Sequence, residues 1–251
     1  MNTEALKEML YKMADDQLII GHRNSEWTGF GPLLEEDIAF SSMAQDKVGQ
    51  SYALYQMLNE LGEGEPDTVA FMRNADQFHN CTLTELPNGE YDFSLIRHFL
   101  FDAAEAIRFD MLTRSSYKPL ADLSIKIRGE IRYHTMHART WIRQLGNATP
   151  ESVERLQNSL NEALPHALGI FEPSPFEDEI ISSGLFEGER ALQAAWEIEI
   201  MKVLSETVLQ VPDLTALSPS YGGRIGKHTP HLQPLLDEMA EVFRSDPTAD
   251  W

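Results

Sequence analysis

Apolar side chains recur along this chain at the helical interval and scarcely anywhere at the alternating interval of a strand. Leu6, Leu10, Met13 and Leu18, with Met9 and Ile20 beside them, share one broad face and predict a first helix over about Thr3–Ile20. A turn-rich stretch, Arg23–Pro32, places Gly29 and Gly31 on either side of Phe30, and a longer helix is predicted over about Leu33–Gly62. Asp67–Asn80 reads as a short helix and a loop, and Pro87-Asn88-Gly89 as a turn into a third long helix over Phe93–Ser115. A fourth spans Leu120–Leu145 and stops at Gly146-Asn147, where the glycine suits a left-handed end. Thr149 as cap and Pro150 at the first helical position restart a helix that runs to about Leu168, with Pro165 a place to bend. Glu172–Phe176 is a proline-interrupted link, and Gly188–Leu209 is a further helix. Val211–Pro234 holds four prolines and three glycines and is the longest irregular region, before a last helix over Leu235–Arg244. No internal repeat or low-complexity tract appears, so the pattern predicts an all-α bundle of six or more helices.

At 251 residues with no linker, the expectation is one domain over 1–251. Forty acidic against 20 basic residues leave a net charge of −20, which repels phosphate backbones and anionic lipid and argues against nucleic acid as a partner. The same field opposes an anionic substrate, so any basic cluster is a local exception. A single cysteine, Cys81, forms no internal disulfide and suits a reducing compartment. The first 17 residues carry charges throughout, and nothing approaches the run of about 18 apolar residues that spans a bilayer. The expected setting is cytoplasmic, with no membrane.

An all-α bundle raises one chemical question. Carboxylate-bridged di-iron proteins place an acid on each of two helices and an ExxH pair on each of the other two, because residues at i and i+3 share a face. No ExxH occurs here, and the one DxxH, Asp76 to His79, falls in a connection. Acids nevertheless occur in the right order: Asp15, Asp46, Asp102 and Glu130, one on each long helix. Where ExxH would require histidine, Asp46 is followed by Gly49 and Glu130 by Tyr133. Two readings stand: ordinary surface acids, or a vestigial site whose carboxylates are protonated or paired with a base such as Arg108 or Arg132. His134, four residues after Glu130, leaves open a displaced set of Glu130, His134 and Asp102.

Glu26-Trp27, Leu34-Glu35 with Asp37, and Asp46 through Gly49-Gln50 open a series of segments carrying a resemblance. Leu86-Pro87-Asn88-Gly89, Glu130 with Arg132-Tyr133-His134, and Trp141 with Leu145-Gly146-Asn147 continue it. So do Ala194-Ala195-Trp196-Glu197, and Lys227-His228-Thr229 with His231-Leu232. Across nearly the whole chain the sequence resembles the phenylacetate-catabolism protein family, and within it the structural subunits of ring-1,2-phenylacetyl-CoA epoxidases. The resemblance implies a ferritin-like helical subunit that pairs with a paralogous catalytic subunit in a multicomponent monooxygenase. It implies di-iron in that partner, no cofactor and no catalytic residue in this chain, and a role in stabilising and shaping the partner. Glu105, three residues after Asp102, stands where a histidine would have supplied a further metal ligand.

Some features remain outside that scheme. Arg224, Lys227, His228 and His231 collect after Tyr221 and fit a structured connection, an interface with a neighbouring chain, or contact with a CoA phosphate. Arg128, Arg132, Arg139 and Arg143 recur along the fourth helix as a solvated face or a stripe for a partner's acids. Trp27, Phe30, Trp141 and Trp196 are expected to pack rather than stack on a ligand. Self-association, if it occurs, is expected through the second or fourth helix. An independent di-iron oxidase and a non-enzymatic ferritin-like interaction protein are the competing functions, the first disfavoured by the missing histidines.

Overall fold

The structure, a computed structural model, describes residues 2–249, and every regular element among them is helical. The all-α, ferritin-like class expected from the periodicity and the resemblance holds. The chain divides into two compact units, one drawn from the described residues of Met1–Pro87 and Gly222–Trp251, the other Asn88–Tyr221.

The first unit is built on a hairpin of α1 (Thr3–Ser25) and α2 (Leu34–Glu60), which pack along their lengths. Asn2 caps α1, its side-chain oxygen accepting from the Glu4 amide at 3.0 Å. Leu6, Leu10 and Met13 of α1 and Phe40, Met43, Leu54 and Leu58 of α2 are all buried where the two helices are packed together. Gly21 permits the closest approach: a Cβ there would lie 3.0 Å from Lys47 Cβ on α2. Around the hairpin lie α3 (Pro66–Phe71), α4 (Thr82–Glu85) and α10 (Leu232–Ser245). Two ends differ from the periodicity. The last turn of α1, beyond Ile20, is held by polar contacts, the Arg23 guanidinium donating to the Glu85 carbonyl at 2.8 Å and to Glu26 at 2.7 Å. α10 begins at Leu232 rather than Leu235, since Pro234 sits in a first turn where its missing N–H breaks no helical bond.

In the second unit α5 (Tyr91–Leu112) is the central element, packed against α6 (Lys118–Leu145), α7 (Pro150–Leu168) and α9 (Glu189–Leu204). The short α8 (Glu177–Ser182) completes it. Trp196 is wholly buried, 5.0 Å from Phe171 between ring centroids, with its indole N–H donating to the Leu100 carbonyl at 2.9 Å. Trp141 and Trp27 are only half-buried, and Phe30, expected to pack, is 78 % exposed. Thr149 caps α7 as expected, with Ser152 returning a bond to the Thr149 amide. Gly146 corrects the reading of a left-handed helix end: its φ is −70°, in the right-handed region. The glycine is required by space, because a Cβ would lie 2.6 Å from the Ile142 carbonyl and 2.9 Å from Thr207. That same contact ends α9 at Leu204 rather than Leu209, with the Val208 amide donating to the Gly146 carbonyl at 3.2 Å. No helix among the described residues is long and apolar enough to cross a membrane.

Candidate functional site

The two acids of the first unit have different environments. Asp46 is half-buried on α2. Asp15 is fully buried on α1, and its carboxylate accepts four bonds. Oδ1 takes the Tyr55 hydroxyl at 2.5 Å and Arg73 Nη2 at 2.6 Å; Oδ2 takes Arg73 Nη1 at 3.0 Å and the His79 amide at 2.8 Å. An ionised carboxylate offers about four lone-pair positions, so this one is saturated. Burial opposes the Arg73 charge, yet Asp15 holds its pKa above the ordinary guanidinium range. Burial first, and then the Asp15 charge, push the Tyr55 hydroxyl well up, so it remains a donor. The Arg73 plane also lies 4.0 Å from the Phe78 ring centroid. The buried acid expected to pair with a base does so, but its partner is Arg73, outside any long helix, rather than Arg108 or Arg132.

Asp16, the next residue, repeats the arrangement toward the other connections. It accepts from the Cys81 amide at 2.7 Å and from Arg224 at 2.8 Å. Burial, reinforced by that carboxylate, raises the Cys81 thiol well above its usual range, which keeps it neutral. Arg224 also donates to the His79 carbonyl at 2.9 Å, so it is an internal strut between α1 and the 73–81 connection. His228 is likewise internal: Nδ1 lies 2.8 Å from buried Glu85 Oε2 and Nε2 lies 3.0 Å from the Phe78 carbonyl. Both ring nitrogens therefore face acceptors, the pattern of an imidazolium. Burial, the largest single influence, opposes that charge, but the bond to Glu85, the Glu85 charge and the bond to the Phe78 carbonyl together outweigh it and the His228 pKa is raised. Lys227 and His231 are exposed. Of the four basic residues grouped by sequence, then, two are structural ties and two face solvent.

In the second unit Asp102 and His134 are fully buried, and Glu130 is half-buried. The sequence reading missed the closest partner of Asp102, which is His98, one turn earlier on α5, with Nδ1 2.5 Å from Oδ2. His134 Nδ1 stands 3.9 Å from Asp102 Oδ1, and the His98 ring lies 6.2 Å from His134 and 5.5 Å from His137 between centroids. Burial lowers the His98 pKa against the pull of Asp102, so the neutral ring is the favoured state. Glu105 belongs elsewhere: with Glu189 it clasps buried Arg108, at 2.9 Å to each. The arginine stripe of α6 is turned to its own unit, Arg128 meeting Asp110 at 3.1 Å, Arg139 meeting Glu199 at 2.8 Å and Arg143 meeting Glu206 at 2.6 Å, while Arg132 is exposed.

These residues do not fit a metal centre as they stand. Asp15 has its acceptor positions filled by donors. The 2.5 Å separation of His98 and Asp102 is a hydrogen-bond distance, whereas two ligand atoms bound near 2.1 Å to one ion lie about 3 Å or more apart. Among the described residues no group of three or more His, Cys, Asp or Glu side chains is arranged to hold a metal ion. The signal that could have found the Asp15 cluster is the pair of adjacent acids, Asp15-Asp16, set between the apolar positions Met13-Ala14 and Leu18 of α1; nothing local pointed to Arg73.

The family described as phenylacetic acid catabolic protein matches residues 1–251. A curated relative, one of the lettered subunits of the 1,2-phenylacetyl-CoA epoxidase of Escherichia coli (strain K12), is 34% identical over 241 residues, which cover 96% of this chain and 96% of that protein.

Proposed function

The chain belongs to the phenylacetic acid catabolic protein family, and from that premise we propose that it is the non-catalytic, structural subunit of a multicomponent phenylacetyl-CoA ring epoxidase in aerobic phenylacetate degradation. Its relative is named as one subunit of such an enzyme, which supports an assembly of unlike chains. In this reading the di-iron centre and the oxygen chemistry reside in a paralogous catalytic subunit, and this chain stabilises that partner in the cytoplasm.

The observation that carries the proposal is the saturated Asp15 carboxylate. A di-iron subunit keeps its buried acids poised for metal, with second partners orienting them. Here the acid that leads the series is bound by an arginine, a phenol and a backbone amide, and a buried cation beside it would repel a metal ion. Asp102, in its own unit, is engaged by His98. The residues at the metal-ligand positions thus act as interior polar ties, which suits a subunit valued for shape.

The test is co-expression of the chain with the catalytic paralogue and the reductase. Phenylacetyl-CoA-dependent oxygen consumption should require both ferritin-like chains, and Asp15→Asn, in a variant that still folds and pairs, should leave turnover within about twofold. Substrate-dependent turnover by this chain with the reductase alone would establish an independent oxidase instead. Absence of any complex with the paralogue would leave the interaction-protein reading.

A further inference from the structure

The segment 222–231, which precedes α10, lies against the 75–85 connection of the first unit with almost no apolar burial. Its buried residues are Gly222, Gly223 and Arg224, and its one large apolar side chain, Ile225, is 57 % exposed. Two glycines let the backbones touch. A Cβ at Gly223 would lie 2.2 Å from the Asn80 carbonyl oxygen, and one at Gly226, where φ is +75°, would lie 2.3 Å from that of Asp76. The ties that hold the segment are polar. It brings two cations to two buried carboxylates: Arg224 lies 2.8 Å from Asp16, and His228 Nδ1 lies 2.8 Å from Glu85. The Thr229 amide donates to the other Glu85 oxygen at 2.5 Å. A stretch joined by ions and hydrogen bonds gives up little hydrophobic stabilisation when it lifts, and its charges regain water, so it can open without the helices around it.

His228 is the tie whose charge can be removed near neutral pH. As an imidazolium it donates both to Glu85 and to the Phe78 carbonyl, 3.0 Å from Nε2. A neutral ring keeps one N–H, so one of its two nitrogens then sets a lone pair against an acceptor, and the two carboxylates face a single cation. The charges that bear on the ring from neighbouring elements are Glu85 of α4, in contact, and Asp15 of α1, acting through space; both favour the imidazolium. On the segment itself Arg224 is turned to Asp16 and Lys227 is exposed. We propose that 222–231 is a strap closed by the proton on His228: shut over the 75–85 connection while the ring is an imidazolium, and released, with the helices of both units still folded, as the ring becomes neutral. Because the closed state holds the proton more tightly, closure is complete below the ordinary imidazole value of 6.5 and is lost as pH rises through the higher value of the closed strap. Cys81, the single cysteine, lies beneath the strap and reports on it: the residue is 1 % exposed, and its Cα would be 3.3 Å from a Cβ on Gly223.

The strap is independent of the proposed role in an epoxidase, and the full-length chain alone tests it. Labelling of Cys81 by an aromatic disulfide reagent, divided by the rate for a short peptide with the same cysteine at the same pH, gives its protection with thiolate ionisation removed. Protection of the wild type should fall at least about tenfold between about pH 6 and about pH 9. His228→Gln should be weakly protected at both ends of that range, whereas His228→Lys, charged throughout, should hold its protection within about threefold. Hydrogen exchange of the wild type, corrected for intrinsic rates, should rise with pH in peptides covering 75–85 and 222–231 and not in α5 or α7. These two wild-type measurements decide the matter even where a variant does not fold. Wild-type protection that does not change with pH overturns the proposal. So does an equal fall in His228→Gln, or exchange that rises in all the helices together, which would be unfolding of the whole chain.

Discussion

Arg73 is the residue on which the interior polar structure of the first unit turns. It lies in a connection, yet binds Asp15 with two nitrogens and supports Tyr55 and Phe78 as well. Removing one member of a buried ion pair leaves a desolvated charge, so Arg73→Met is expected to cost about 3–5 kcal/mol in denaturant unfolding. The double variant with Asp15→Asn should cost less than the sum of the two single changes, and additivity would show that the pair is not coupled. His228 gives a pH signature. Its pKa is raised in the folded protein, so its bond to Glu85 contributes stability fully below the unfolded value of about 6.5 and loses it as pH rises through the folded value. The stability difference between wild type and His228→Gln should therefore be largest below that value and shrink toward alkaline pH; a difference that grows with pH would contradict the imidazolium assignment. At this scale the sequence exposed the acids but not their partners. Asp15 and Arg73 are 58 residues apart, and His98 escaped notice because a histidine four residues before an acid matches no metal-ligand spacing.

Helices were legible wherever an apolar face repeats, because burial of that face is what forms them. Their ends were legible where a local device sets them, as at Thr149-Pro150, and not where a distant contact does. The last turn of α1 depends on Glu85, and the end of α9 depends on the approach of Gly146 and Thr207. Gly146 separates these causes. Substitution to alanine is allowed by its φ of −70° but not by the surrounding atoms, so Gly146→Ala should destabilise by about 1–3 kcal/mol, as overpacking does. A neutral or stabilising result in thermal unfolding would mean that the α6–α9 corner relaxes freely. Thr149→Ala should cost about 1 kcal/mol by loss of the cap, a smaller effect read by the same melt.

For the whole molecule, the all-α class followed from periodicity, and the family from the segments spread along the chain, because both are written in many positions at once. The division into two units was not legible: no composition change marks Pro87 or Tyr221, and the final helix returns to the first unit across more than a hundred residues. The proposed function rests on what the buried acids of the long helices do. Asp15 and Asp102 are interior ties, each within its own unit, and the proposed function assigns iron to another chain. Iron content tests that assignment most directly, measured on the chain purified alone from iron-supplemented cells and again after co-purification with the catalytic paralogue. The account predicts well under one iron per isolated chain, with iron in the complex tracking the amount of the partner. About two irons per isolated chain, the complement of a carboxylate-bridged pair, would contradict it.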